Sequence, residues 1–540
     1  MTTGGRPNGR TVALWLVGAA TLLSAGPPVR RSACPSLRPS ACQSARWRPE
    51  DRVLISDFSN VEAVAVSPFT VFAATTHGLT SFDRQAHEWR LPVTSLEGYP
   101  AARVRVALAD GADNAVWLGT DEGWARYDAA VGRWDQGGVP GGVTGLMLDA
   151  SDQASGVFVQ GAAGWGFLPR GSMLPIPGRP LPPPGRRIQP LDPGTALDRV
   201  PLADAMRALI LTDPQLRRHR FTAAARSPDR TDLFLGTDGM GLVRVDALTG
   251  DWERLSFGLI APRAGAVAPG SGGVWVAAAA RAGERRGITW VAADFSADTG
   301  VEGSGALGFA CAEGRHLVRS GRALWLGCER GVVKIDLGNY RTRLFDTESP
   351  LSLAPAPEGV WVGTSHGLSV ITRNDNVASV GRIGQAVLSL CAFGESLWVG
   401  TSGGLGLLAP GASDVTVPPD VAEQPALRAP IVALGRVGDT LVAITPEQLA
   451  WRDPASRRWT LLRAPGRIGR VSALAADRSG VWLAATNTLA FWDLSPAGFR
   501  VLTVPLDVPG PVRDVAVAAP YLWVATDSGL VRLARAAALR

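Results

Sequence analysis

An aromatic residue in an apolar run, followed by Gly-Thr or a relative, recurs eleven times; a second aromatic follows several copies at a fixed distance; segments of helical period are almost absent. These three observations predict an all-β chain, a β-propeller of about eleven four-stranded blades arranged as two rings, with an N-terminal strand closing the last blade.

The recurring aromatics are Phe72, Trp117, Phe158, Phe234, Trp275, Trp325, Trp361, Trp398, the degenerate Val442, Trp482 and Trp523. Apart from one gap of 76 residues, they lie 36 to 50 residues apart, near the period of about 40–50 residues expected of a four-stranded blade. An Asp stands eleven residues after the aromatic at Asp83, Asp128, Asp336, Asp453 and Asp493, and twelve after it at Asp246. Six residues beyond that Asp comes Trp89, Trp134, Trp252, Trp459 or Phe499. Each unit therefore reads as an apolar strand A, a strand B with the aromatic, a turn with Gly, a strand C ending at the Asp, and a strand D opening on the second aromatic. The turn glycines Gly78, Gly123, Gly331, Gly367, Gly404 and Gly529 suit hairpins that need a positive φ. The Thr hydroxyl is placed to bond turn backbone, and the Gly before it lets a neighbouring sheet approach. Seven tryptophans fall on strand B and four at the start of strand D, so they read as wedges between blades rather than as a stacking platform.

Along the chain, residues 1–26 read as a signal peptide: Arg6 and Arg10 precede the uncharged apolar stretch Val12 to Ala25, too short for a comfortable membrane span. An uncleaved anchor is the alternative. A Pro-rich lead, 27–50, follows. Blades 1–3 occupy 51–176, a Pro-rich insertion with a short helix at about Leu202 to Leu211 occupies 177–220, and blades 4–8 occupy 221–409. A Pro-rich linker spans 410–430, and blades 9–11 span 431–540. The last unit lacks strand D, whereas Val53 to Phe58 reads as a strand without a unit; pairing the two closes a ring. If the Pro-rich breaks mark crossings, blades 4–8 form a five-bladed ring and the others a six-bladed one. A sequential split and a hidden twelfth blade are the alternatives.

Lys334 is the only lysine among 54 basic residues, and the net charge of +6 is dispersed. Clusters such as Arg217-Arg218-His219-Arg220 read as solvated loops, so no nucleic-acid partner is expected. Export suits the five cysteines. Cys34 could pair with Cys42, and Cys311 on strand A with Cys328 on strand B, leaving Cys391 as a buried thiol. The expected location is periplasmic or secreted, in a bacterium.

The phrase Trp-Leu-Gly-Thr-x-x-Gly, best carried by Trp117 to Gly123, Trp361 to Leu368 and Trp398 to Leu405, resembles the two-component regulator propeller repeat. That resemblance covers about residues 50–535 and implies paired propellers of the kind found in the periplasmic sensing half of hybrid histidine kinases. Kinase modules normally follow; here the sequence reaches Arg540 after a blade, so kinase activity is not implied.

The sequence offers no HExxH, phosphate loop or calcium loop; no metal, cofactor or catalytic residue is expected, and the protein reads as a non-enzyme. His77 and His366 share one turn position, and His87, His219 and His316 read as isolated loop residues. The variable tips of the B–C turns are the candidate binding residues: His77, Asp121, Glu122, Asp238, Glu329, Arg330, His366, Ser402, Asn487 and Asp527. A fixed frame with variable tips is what a binding surface needs. The expected function is an exported, non-catalytic module binding an envelope protein, glycan or peptide. A periplasmic sensor subunit serving a separate histidine kinase, and a propeller lyase or hydrolase, are the alternatives.

Overall fold

A computed structural model describes residues 47–540 except 112–113, 150–155, 181–188, 202–205, 207, 303–308, 358 and 382. The signal peptide, most of the lead, and the Cys34–Cys42 pair lie outside the described residues. The described residues form eleven antiparallel sheets built on meanders of sequence neighbours, spanning 61–89, 104–138, 145–177, 210–255, 264–301, 314–345, 352–380, 387–408, 433–463, 471–503 and 512–534, the last joined by one further strand. Blade 4 gains a fifth strand, and blade 8 has three, with a bridge from Leu407 to Thr416 in place of the fourth.

The repeat letters act as their chemistry requires. Trp117, Trp325, Trp398, Trp482 and Trp523 are buried wedges. The Thr hydroxyl donates to the turn carbonyl three residues on in Thr75 (2.7 Å), Thr401 (2.9 Å) and Thr526 (2.8 Å). The strand C Asp fastens the next turn: Asp246 Oδ1 accepts from the Leu248 and Thr249 amides at 2.8 Å each, and Asp453 Oδ1 accepts from Ala455 and Ser456. A Cβ on Gly119 would stand 2.5 Å from Val106 Cγ1 and 2.9 Å from the carbonyl oxygen of Val143 in the next blade. Glycine is therefore needed there for close approach.

Packing of the inner strands sorts the blades into two rings. From blade 5 to blade 11 each inner strand touches the next, and Val512–Ala518 of blade 11 returns to Ala264–Gly270 of blade 5, closing seven blades. Blades 1, 2 and 3 pack in order, and Arg218–Arg226 of blade 4 packs on Val61–Val66 of blade 1. The Thr222 hydroxyl seals that contact, donating to the Val61 carbonyl at 2.6 Å. The division is thus sequential, four blades and then seven, because the second Pro-rich segment stays inside one ring. It supplies only short turns, Pro419–Ala422 and Pro425–Arg428, between blades 8 and 9.

The first Pro-rich segment fills the gap between blades 3 and 4. Gln189 bridges to Leu146 on one side and Leu191 to Ala224 on the other. Its helix lies at Pro193–Leu197, capped by Asp192, whose carboxylate accepts from the Thr195 amide. Much of the expected helix at about Leu202 to Leu211 lies outside the described residues; its C-terminal end is a strand, Ile210–Thr212, which pairs with Arg218 to Arg220 of blade 4. Pro at the first helical position and Asp before it set the start.

The lone N-terminal strand is Arg52–Ile55, and it pairs antiparallel with blade 11, Arg52 opposite Leu533 and Ile55 opposite Leu530. The seam between blades 11 and 5 is held further by Arg532. Its guanidinium lies 4.4 Å from the Phe295 ring centre and 4.3 Å from that of Tyr521, and donates to the Ala293 carbonyl at 2.6 Å. From this strand the chain crosses to the smaller ring, and after blade 4 it crosses back. The two crossings lie side by side: Asp57 bridges to Gly258, the Leu259 amide donates to the Ser56 carbonyl at 2.9 Å, and Phe58 stacks on Phe257 at 5.7 Å.

Candidate binding face

The start of each inner strand lies beside the B–C turn of its own blade, so the turn tips surround the mouths of the rings. In the seven-bladed ring the inner strands enclose a channel of about 370 Å³, lined in turn by residues of all seven blades, among them Val267, His316, Ser352, Ser389, Ala473 and Asp514.

One register position recurs around this channel. Opposite the second residue after each aromatic stand Ala266, His316, Ser352, Ser389, Ala433, Ala473 and Asp514. Three of these strap adjacent blades together. The Ser352 hydroxyl donates to the Val387 carbonyl at 3.2 Å, and that of Ser389 to the Ile431 carbonyl at 2.8 Å. Asp514 Oδ2 accepts from the Val267 amide at 2.9 Å across the closing seam, and its Oδ1 from the Val515 amide at 2.8 Å.

Burial pushes the Asp514 carboxyl up to about 7 and the His316 imidazole down to about 4. Folding raises the Asp514 pKa above its unfolded value of 3.8, so the native state holds a proton that the unfolded chain releases. The associated stabilisation is complete below about pH 4 and is lost as the pH rises through about 7. Asp514→Asn should therefore flatten the fall in urea midpoint between pH 5 and pH 8 relative to the parent protein; an equal slope in both would contradict the assignment. His316 contributes with the opposite slope, its neutral form being stabilising above about 6.5 and less so as the pH falls toward 4.

The expected tip residues fall into two sets, one per ring. His77, Asp121, Glu122 and Asp238 lie on the four-bladed ring, and Glu329, Arg330, His366, Ser402, Asn487 and Asp527 on the seven-bladed ring. All are exposed except the half-buried Asp527. Several tips clasp their own blade. Asp121 pairs with Arg105 and Asp527 with Arg513; Glu329 accepts from the Ala312 and Glu313 amides at 2.7 and 3.0 Å; Asp238 accepts from the Arg220 amide at 2.7 Å. His77 Nδ1 lies 2.9 Å from the Asp57 carbonyl in the first crossing, and His366 Nδ1 lies 2.9 Å from Glu348. Arg330, Ser402 and Asn487 project from turns whose frames are fixed by others. From blade 11 to blade 6 a chain of alternating charge crosses the mouth: Asp527 to Arg513, Arg513 to Glu313 at 3.2 Å, and Glu313 to Arg315 at 3.0 Å. Those two arginines hold the Glu313 carboxyl below the usual range, Arg315 the more strongly.

Two histidines read as loop residues lie on strands. His316 is on the inner strand Gly314–Ser320, and His219 is on Arg218–Arg226, its Nε2 3.1 Å from Asp213 Oδ2. A disulfide joins Cys311 to Cys328, and Cys391 is a buried free thiol. Cys311 precedes its inner strand rather than lying on it, which sets it against the B–C turn. Asp514 escaped the sequence reading, and His316 read as a loop residue, because only the repeat register, not local composition, puts them in an otherwise small and uncharged row.

No family model and no curated protein matches this chain. Among solved structures it is similar to PorZ, an essential bacterial surface component of the type-IX secretion system of Porphyromonas gingivalis. The match has 10% identity and a TM-score of 0.50 over 90% of this chain and 87% of that one. It is also similar to the extracellular domain of a protein described as a hybrid two-component system of B. thetaiotaomicron, at 12% identity and a TM-score of 0.39 over 88% of this chain and 70% of that one. The designed Ika8 protein matches at 14% identity and a TM-score of 0.36, over 58% of this chain and 96% of its own. At such identities the likeness is one of fold. No helix among the described residues is long and apolar enough to cross a membrane.

Proposed function

We propose that this protein is an exported, non-catalytic binding or interaction propeller of the bacterial cell envelope, recognising a glycan, a peptide or another envelope protein. The observation that carries the reading is the turn face of the seven-bladed ring. Hydroxyl clasps such as those of Thr401 and Thr526 hold the turn frames rigid, while the exposed tips Arg330, His366, Ser402 and Asn487 differ from blade to blade. A rigid scaffold presenting dissimilar side chains around one mouth is suited to reading a ligand by the sum of several contacts.

The test is a pull-down of the tagged full chain from envelope extracts beside a glycan array. A partner should be captured, and combined Arg330→Ala, Ser402→Ala and Asn487→Ala replacement should weaken capture at least tenfold with an unchanged melting point. Failure of both assays to yield a partner would overturn the proposal. The Trp-Leu-Gly-Thr-x-x-Gly phrase favours a second reading, a sensor subunit for a separate histidine kinase. Recovery of such a kinase in the same pull-down would select it.

A further inference from the structure

A second cavity, of about 200 Å³, lies between blades 2 and 3, away from the turn face, and owes nothing to the role proposed there. Its floor is Trp117 and Trp124, with ring centres 5.6 Å apart, and its walls carry Arg126, Arg133, Asp135 and Arg170. Trp124 breaks the repeat. The residue after the turn is Leu79, Leu242, Ile288, Val332, Leu368, Leu405, Leu489 and Leu530 in other copies, aliphatic each time, whereas blades 2 and 3 carry Trp124 and Trp165.

Blade 2 makes room for this departure. Gly137 pairs opposite Trp124 on strand D, and a Cβ there would meet Trp124 Nε1 at 2.5 Å and the Met173 carbonyl at 2.7 Å. The indole therefore lies across Gly137, with its Nε1 and the carbonyl of Met173, a residue of the cavity wall, both close to the open side of that glycine. Trp117 and Trp124 are each only 3% exposed, and neither Nε1 has a hydrogen-bond partner among the described residues. A buried donor left unpaired has lost its hydrogen bond to water without replacement, so an acceptor brought to Trp124 recovers free energy that the bare cavity forgoes.

The other polar groups of the wall are mostly donors. Arg126 lies over Trp117 with Cζ 5.6 Å from the ring centre. Arg133 reaches Asp135 at 2.8 Å and Arg170 reaches the buried Asp110 at 2.9 Å. Arg126 stands 3.8 Å from Asp135, the one acidic side chain among the described residues of the cavity wall. An aromatic floor takes a flat, partly apolar face. Guanidinium groups beside an aromatic floor take an acceptor with negative charge.

We propose that this cavity binds a carboxylate carried on a single six-membered ring, the ring face lying on the two indoles and the carboxylate meeting Trp124 Nε1 and the arginines. Such a group could come from a uronic acid residue of an acidic glycan or from a free aromatic acid.

The experiment is isothermal titration of the full chain with glucuronate, galacturonate, benzoate and, as the neutral control, glucose. Saturable binding of at least one carboxylate is expected, with a dissociation constant on the order of 0.1–1 mM for so small a ligand, and none of glucose. Trp124→Leu restores the residue of the other blades; Trp124→Phe keeps a floor but removes the N–H. Both should weaken binding at least tenfold while melting points stay near the parent value. If a variant melts much lower, Arg133→Gln, a change at an exposed side chain, serves in its place with an expected loss of at least threefold. Uronate binding alone assigns a glycan source, and benzoate binding alone a small-acid source. Binding of glucose as tight as glucuronate, no binding of any carboxylate, or affinities unchanged by the substitutions would overturn the proposal.

Discussion

Ile55→Asp is expected to open the seven-bladed ring. Ile55 is 1% exposed, pairs with Leu530, and packs with Val53, Phe58, Trp523 and Leu530 between the last blade and its neighbour. An aspartate there has no counter-charge in that apolar cluster, and a buried unpaired charge is one of the few single changes that cost more than about 4–5 kcal/mol. The thermal midpoint should fall by roughly 10 °C or more. Limited proteolysis should cut first within 512–534, because that sheet loses its outer strand, while the four-bladed ring persists. Glu50→Ala, at an exposed side chain just before the strand, should leave both readings unchanged. An unaltered midpoint for Ile55→Asp would refute closure by the N-terminal strand.

The second large effect concerns Cys328. In blades 1, 8 and 11 the equivalent Thr donates its hydroxyl across the B–C turn. Blade 6 replaces that hydroxyl with a sulfur bonded to Cys311, 17 residues earlier. A disulfide closing a loop of that size stabilises by about 3 kcal/mol in the chain-entropy model, whereas a single hydrogen bond contributes about 1 kcal/mol net. Urea midpoints should therefore rank the parent first, Cys311→Ser with Cys328→Thr second, and Cys311→Ala with Cys328→Ala last. Reductant should bring the parent close to the last of these. A parent midpoint indifferent to reductant would show that the bond does not hold this blade.

Much of the architecture was legible because a propeller repeats its constraints. Trp117, Gly119, Thr120 and Asp128 each answer a need that recurs in many blades: a wedge, a close approach, a clasp, a turn. Where a need arises once, the pattern is silent. The segment from Gln189 to Leu191 substitutes for direct contact between blades 3 and 4, and nothing periodic marks it. Its helix at Pro193–Leu197 rests on the short signal of Asp192-Pro193, which the apolar run after Leu202 outweighs in the sequence. Prolines alone also could not distinguish a crossing between rings from a long turn within one. The turn tips were findable as positions, but their partners were not: the pairing of Asp527 with Arg513 and of Asp121 with Arg105 depends on a bulge at the start of the inner strand that brings the arginine to the turn.

The paired crossings at Asp57 and Gly258 carry a topological consequence. Arg52–Ile55 is the outer strand of blade 11, and Ala264–Gly270 is the inner strand of blade 5, its neighbour in the ring. Joined directly, they would make the ordinary step from one blade to the next. The whole four-bladed ring is therefore a passenger, lodged in a single loop of a host that is already complete without it. Its two tethers emerge together beside the one joint where the host is closed by non-consecutive chain. A pull or twist on the passenger would reach the host through those tethers at that joint, and through the side contacts near it, such as Arg217 with Glu302.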